Sequence, residues 1–341
     1  MKNLKRLDVL VVYSAYSAGS AASKTKSYKT PFAGLGVKND LDHAYAYFLT
    51  VCRKRQLKAA LTTSADIIGP GQCRSYWLFK HSTWAKVNRL AEASVIFDKF
   101  SPCNRRQKHQ RELMFSSPEI RPFNQPDLYQ LFFDKHSTYE LLADMAIPTV
   151  VTSEDSIGDL GGLLKQHQYP ADFGAGYVLK DRFGSAGNHV YQIKSGGEPE
   201  IASILKLNPF KRFILQPRLQ FDHEIRLIFM GDKIVQTYIR TAPAGGFCCN
   251  DHQGGSLQYI NESQVPLKVL QMAQALTARL PAENSLYALD FVVSHNGNVY
   301  LLEGNTGPGL NWDPANKIDE VKSHELIEII VAELAKRCVK V

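Results

Sequence analysis

One dipeptide, Asn296-Gly297, lies between two short apolar runs and constrains this 341-residue chain more than any other feature. Asn-Gly is the strongest short hairpin signal, because a type I′ turn needs positive φ at both central residues. If His295 pairs with Asn298, counting back along both strands sets Asp290 directly across from Glu303. Such pairs hold their Cβ atoms about 4.5–5.5 Å apart, where like charges destabilise a sheet. Both acids interrupt otherwise apolar strands, Tyr-Ala-Leu-Asp-Phe-Val-Val and Val-Tyr-Leu-Leu-Glu. Asn305 stands two residues beyond Glu303 and shares its face if the strand continues. Two carboxylates and an amide oxygen form a hard-oxygen set that suits Mg2+ held jointly with phosphate oxygens. The structural alternative is a protonated carboxyl, or each acid turned outward to a Lys or Arg; the matched trio favours the metal. On this reading Asp290→Asn or Glu303→Gln abolishes turnover and keeps the fold, or even stabilises it in metal-free buffer by relieving repulsion.

The rest of the chain is read around that hairpin. Its length suits two or three linked domains, and no apolar run approaches the roughly 20 residues of a membrane helix. Asp8 and the brevity of Val9-Leu10-Val11-Val12-Tyr13 favour a buried first strand over a signal peptide. Six cysteines (Cys52, Cys73, Cys103, Cys248, Cys249, Cys338) without a CxxC favour a reducing, cytoplasmic setting over disulfides or zinc. Residues 1–135 hold 22 Lys+Arg against 10 Asp+Glu, whereas the remainder is net acidic. A basic first domain suggests an anionic partner, with a solvated basic face as the alternative. Its densest run, Asn104-Arg105-Arg106-Gln107-Lys108-His109-Gln110-Arg111, has no interleaved aromatics, which argues against a nucleic-acid surface.

Periodicity orders the elements. Strands are predicted at 9–13 and 94–97, with a helix over 41–61 whose stripe is Tyr45, Phe48, Leu49 and Cys52. Residues 121–126, with two prolines, read as a linker. A capping box at Ser137-Thr138-Tyr139-Glu140 opens a helix, and Ile147-Pro148 ends it. From Tyr177 the pattern is antiparallel, including a two-residue hairpin turn at Gly231-Asp232. The last helix carries Ile327, Ile330, Val331, Leu334 and Cys338 on one stripe, a core face.

Two segments suit a nucleotide. Lys180 precedes Gly184-Ser185-Ala186-Gly187, where glycines let backbone approach a phosphate chain with Lys180 as counter-charge. A plain hairpin turn looks similar, and the loop is neither a Walker A nor a Rossmann fingerprint. Pro217 breaks an apolar strand after Gln216 and exposes backbone groups to an adenine edge or to a linker. Arg226 and Arg240 lie on hairpin strands, where an arginine clamps phosphate or simply faces solvent. Residues 250–255 read as a loop able to cover a substrate.

Together these motifs resemble the ATP-grasp superfamily over about residues 120–315. They are most similar to the branch holding glutathione synthetase, the lysine-biosynthesis carrier-protein ligases and the ribosomal-protein glutamylating ligases. The residues that carry the resemblance are Asp134-Lys135, Val178-Leu179-Lys180 with its Gly-rich loop, and Gln216-Pro217-Arg218-Leu219. Glu224-Ile225-Arg226, Arg240, Asn250 with Gly254-Gly255, Asp290, Glu303-Gly304-Asn305 and Gly307-Pro308-Gly309 complete the set. Asp181, His189 and Gln216 stand where relatives often carry Pro, Gly and Glu.

The resemblance implies an α/β (α+β) chain: two α+β subdomains gripping ATP, at 126–215 and 216–341, after an α/β substrate-binding domain at 1–125. It implies Lys135, Lys180, Gly184, Ser185 and Gly187 at the phosphates, Gln216 and the Leu219 backbone at adenine, and Glu224 at ribose. Asp290, Glu303 and Asn305 would hold Mg2+ or Mn2+, with Arg226, Arg240 and Asn250 at the reacting groups. The implied reaction activates a carboxylate as an acyl phosphate and joins it to an amine, releasing ADP and phosphate. Small carboxylate and amine substrates are expected, with a peptide or protein acceptor as an alternative. The rival readings are a kinase of the same fold and an ATP-regulated binding protein without turnover. No oligomeric state follows.

Overall fold

The computed structural model describes residues 4–23, 28–35, 40–102, 104–152, 155–184, 187–243, 255–313 and 315–338. It divides into two compact units, residues 1–124 with 309–341, and residues 125–308. The segment after Pro308, assigned by the resemblance to the last subdomain, packs with the first unit instead.

The first unit is built on β1 (Lys5–Tyr13), which lies parallel between β2 (Ala59–Thr63) and β7 (Ala91–Lys99). β1 and β7 bury residues on both faces (Val9 to Val12; Val95 to Phe97), as a parallel strand between helical layers requires. β3 (Ile67–Gly69), β4 (Gln72–Cys73), β5 (Tyr76–Lys80) and β6 (Thr83–Val87) extend the sheet in the order β3-β4-β7-β1-β2-β5-β6. Among the described residues three α-helices belong to this unit: α1 (Asp40–Lys54), α2 (Arg105–Met114) and α8 (Lys317–Cys338). The α1 stripe of Tyr45, Phe48, Leu49 and Cys52 is buried, as are Ile327, Ile330, Val331 and Leu334 of α8. The helix predicted over 41–61 stops at Lys54: Gln56 takes φ 63°, and Ala60 and Leu61 pair with Leu10 and Val11. The expected linker is also partly structural, because Arg121–Pro122 forms β8 alongside β7. Pro126 then opens α3 (Pro126–Phe133), where its missing N–H costs nothing.

The second unit holds two antiparallel sheets. One orders β11 (Val190–Ile193), β10 (Phe173–Asp181), β12 (Phe213–Leu219) and β9 (Val150–Val151). α5 (Ser156–Gln166) and α6 (Glu198–Leu207) pack on it through Leu160 and Ile201 against Leu179, Phe213 and Leu215. The other orders β15 (Ser256–Tyr259), β14 (Lys233–Thr241), β13 (Glu224–Met230), β16 (Leu286–Val293) and β17 (Val299–Asn305). Its apolar face meets α3, α4 (Lys135–Leu141) and α7 (Leu267–Thr277) through Phe229, Leu289, Phe291 and Leu301. Met230 pairs with Lys233 around Gly231 at φ 63°, the expected two-residue turn. α4 opens three residues earlier than the Ser137 box predicts: Asp134 caps it, accepting from the His136 N–H.

Candidate active site

Most of the expected metal-side and arginine residues lie on the polar face of the five-stranded sheet. Asp290 does stand opposite Glu303, but by a different route from the two-residue turn. The tip is a three-residue loop: Ser294 N–H donates to Asn298 O and Gly297 N–H to Ser294 O, both at 2.8 Å. Gly297 alone of the loop takes positive φ, 77°, the three-residue alternative in which a type I turn is followed by a left-handed glycine. That loop pairs Val293 with Val299 and Phe291 with Leu301, one residue out of step. A bulge at Leu302 then inserts one residue and returns Glu303 to Asp290.

Strand pairing continues the row. Arg226 faces Asp290 on one side and Tyr238 on the other, so Tyr238, Arg226, Asp290 and Glu303 run across four strands. Glu224 and Arg240 form the adjacent pair. Arg226 grips Asp290 with a two-point fork, Nε to Oδ1 and Nη2 to Oδ2, both at 2.5 Å. Arg240 Nη2 donates to Asp290 Oδ2 at 2.7 Å and to Glu224 Oε2 at 2.5 Å. Burial works to raise the Asp290 pKa, but Arg226 and Arg240 outweigh it and hold the carboxyl below its ordinary value. Glu224 goes the other way: burial raises it, Arg240 opposes, and Asp290 and Glu303 add to the rise. The two arginines therefore neutralise carboxylates of the sheet itself. Glu303 remains 39% exposed, with Arg226 Nη2 3.8 Å away.

The residues expected at the phosphates gather around the start of α4 and the Gly-rich loop. Lys135 Nζ donates to the Gly184 carbonyl, which ties the first residue of α4 to the Gly-rich loop. Its pKa is lowered by burial, with Lys180 adding to that and Glu303 opposing it, so both lysines and Glu303 share one electrostatic neighbourhood. Arg182 forks onto Asp134 at 2.6 Å through both nitrogens, fastening the loop's base to the helix start. Gly187 takes φ 72°, and Gly184 lies close under Asp181 and Asn188. Ser185 and Asn250 lie outside the described residues. Gln216 is buried and donates to Thr149 Oγ1 at 2.8 Å. The Leu219 side chain packs with Ile147, Val292 and Tyr300, and the residue pairs with Phe173 of β10.

The donor set fits a hard divalent cation. Among the described residues no three His, Cys, Asp or Glu side chains form a metal cluster; the expected third donor is the Asn305 amide. An ionised carboxylate offers about four lone-pair sites on its two oxygens, so the three arginine contacts do not exhaust Asp290. Asn305 Oδ1 is held by the Gly307 N–H at 2.7 Å, which orients the amide and leaves its second lone pair.

Two groups escaped sequence reasoning. Arg182 lies two residues beyond Lys180, and it meets Asp134 because the residue after β10 lies beside the start of α4, which no local spacing announces. Asp172 accepts from Asn296 Nδ2 at 2.8 Å, Asn298 Nδ2 at 2.9 Å and Tyr300 Oη at 2.5 Å, and no local pattern announces it.

Comparison with known proteins agrees with this geometry. A "Probable alpha-L-glutamate ligase" of Haemophilus ducreyi is 25% identical over 244 residues, covering 69% of this chain and 74% of its own. D-cycloserine synthetase shares the fold at TM-score 0.61 and 16% identity, over 97% of this chain and 100% of its own. D-alanine–D-alanine ligase from Bacillus anthracis does so at TM-score 0.58 and 12% identity, over 97% and 98%. Residues 133–330, more than half of the chain, match the RimK-like ATP-grasp domain, and the chain belongs to that family.

Proposed function

We propose that the polar face of the β14-β13-β16-β17 sheet and the adjoining Gly-rich loop are the reaction centre of this ATP-grasp ligase. The chain is an ATP-dependent carboxylate–amine ligase. ATP phosphorylates a substrate carboxylate, an amine attacks the acyl phosphate, and an amide, ADP and phosphate are released. In our reading Lys135 and Lys180 neutralise the phosphate chain, and backbone N–H groups around Gly184 and Gly187 approach it. Gln216 and the Leu219 backbone take adenine, and Glu224 lies toward ribose. Asp290, Glu303 and Asn305 hold Mg2+, which when bound would screen charge on the transferring phosphoryl group.

The protein's own contribution is positioning and charge balance rather than a nucleophile. Arg226 and Arg240 keep Asp290 ionised in a buried row, and they stay beside the place where phosphoryl charge develops. The observation that carries this reading is that row, Arg226–Asp290–Glu303, set by strand register with Lys135 and Lys180 beside it. An amino-acid carboxylate joined to an amino acid or peptide amine is the substrate class we infer, in keeping with the glutamate-ligase relatives. The test is ADP release with Mg2+ and ATP across pools of amino acids and short peptides, with products resolved by mass. Amide product is expected. A phosphorylated product, or tight ATP binding without turnover, would overturn the reading.

A further inference from the structure

The β5–β6 hairpin of the first unit takes no part in the chemistry above. β6 ends the sheet order, with β5 as its partner. Lys80 pairs with Thr83 around His81 and Ser82, both at positive φ, 49° and 59°. A two-residue loop of this kind makes its closing pair a hydrogen-bonded one, and the bonding then alternates along the strands. Thr83, Ala85 and Val87 accordingly point their N–H and C=O groups at β5. Those of Trp84 and Lys86 point outward, along the free edge.

Side-chain chemistry on this edge has one sign. Residues 67–91 contain Arg74, Lys80, Lys86 and Arg89 and no Asp or Glu. Lys80, Lys86 and Arg89 are exposed. On the Lys86 face lies an aromatic platform: Phe79 and Trp84 meet at 5.3 Å between centroids, and the Lys86 ammonium lies 5.3 Å over the Trp77 ring, while Lys80 projects from the other face. Lysines on an edge strand ordinarily keep other strands away. They do so for a second copy of β6, which would bring like charges opposite one another. A strand of opposite charge meets attraction instead.

We propose that the β6 edge is a docking site for an acidic, extended segment of a partner protein, which adds to the sheet as a further strand. Main-chain bonds to Trp84 and Lys86 supply affinity, and acidic side chains opposite Lys86, drawn also by the positive charge of Lys80 one strand further in, supply selectivity. A nucleic acid fits less well, since its phosphodiester backbone has no donor for the outward carbonyls. None of the residues argued from here is used in the ligase reading, so the proposal stands or falls independently of it.

The experiment titrates a short fluorescein-labelled peptide of alternating Glu and Val with the full-length protein, following anisotropy. Saturable binding is expected, weakened at least about tenfold in a Lys80→Glu/Lys86→Glu double variant whose fold is checked by circular dichroism. Lys86→Pro removes an outward N–H that β5 does not use, so the sheet tolerates it and binding is lost. Hydrogen exchange at the Trp84 and Lys86 amides slows when the peptide is bound. Equal affinity for an alternating Glu-Pro peptide of the same charge would overturn strand addition. Unchanged affinity in the variants, or displacement by oligothymidylate with equal sensitivity to Lys86→Pro, would overturn the site or its occupant.

Discussion

The two antiparallel sheets of residues 125–308 carry their charges in opposite ways. In the β13–β17 sheet the ionic groups lie inside the ladder: Arg226, Asp290, Arg240 and Glu224 are each under a tenth exposed and bonded across neighbouring strands. In the β9–β12 sheet they gather at a strand end and its loop, where Arg182 and Gly184 connect to the start of α4. The first arrangement positions a site by register and ties it to stability. The second positions a loop by a few anchors at its base, so that binding can change while the fold does not.

The sharpest way to break this comparison is to remove one carboxylate at a time. Asp290→Asn leaves the buried Arg226 guanidinium facing a neutral amide and Arg240 with Glu224 alone, and breaking a buried pair in this way costs about 3–5 kcal/mol. That reverses the stabilisation expected from like-charge repulsion alone, because the two arginines already cancel the repulsion. Glu303, 39% exposed, has water available, and Glu303→Gln should stay within about 0.5 kcal/mol of the parent. Both variants are expected to abolish ADP release. Urea unfolding in metal-free buffer measures the split; equal stabilities would show that the buried row does not support the fold.

The phosphate side should respond in binding instead. An ideal Cβ on Gly184 meets Asp181 Cβ at 2.9 Å and the Asn188 carbonyl at 3.2 Å, so the loop must shift and loosen the Lys135 contact to the Gly184 carbonyl. Overpacking of this kind typically costs ~1–3 kcal/mol, and here we expect it as a roughly tenfold rise in KM for ATP with kcat less affected. Steady-state kinetics at saturating second substrate separate the two. A loss in kcat alone would place Gly184 in the chemical step rather than in nucleotide binding.

What could be read beforehand follows the same division. The apolar alternation around Asn296-Gly297 gave the facing acids, and periodicity gave the core stripes of α1 and α8. Those signals are local, spaced by two or by about 3.6 residues. The turn length was misjudged because Asn-Gly serves both two- and three-residue loops. The inserted Leu302 compensated, so the right pair came from an incomplete reason. The partners of Arg226 and Arg240 were not legible, since a guanidinium suits a sheet carboxylate as well as a phosphate, and only pairing across β13, β14 and β16 decides. The place of α8 was missed because an apolar stripe tells that a helix is buried, not against which sheet.

Asp172 gives the smallest expected effect and the finest test, because it joins the two sheets. It precedes β10, yet its oxygens hold Asn296, Asn298 and Tyr300 of the β16–β17 hairpin. Burial pushes its pKa up, but hydrogen bonds from Tyr300, Asn296 and Asn298 outweigh it, and the folded-state value lies below the ordinary one. A carboxyl with a depressed folded pKa stabilises the native state above its unfolded pKa and loses that contribution as pH falls through the folded value. The loss therefore belongs below about pH 4. Asp172→Asn should cost about 1 kcal/mol at neutral pH and flatten the acid limb of the stability profile. Faster hydrogen exchange at the Gly297 and Asn298 amides should accompany it. If acid sensitivity persists undiminished in Asp172→Asn, the hairpin tip is held by the apolar contacts of Tyr300 and not by this carboxylate.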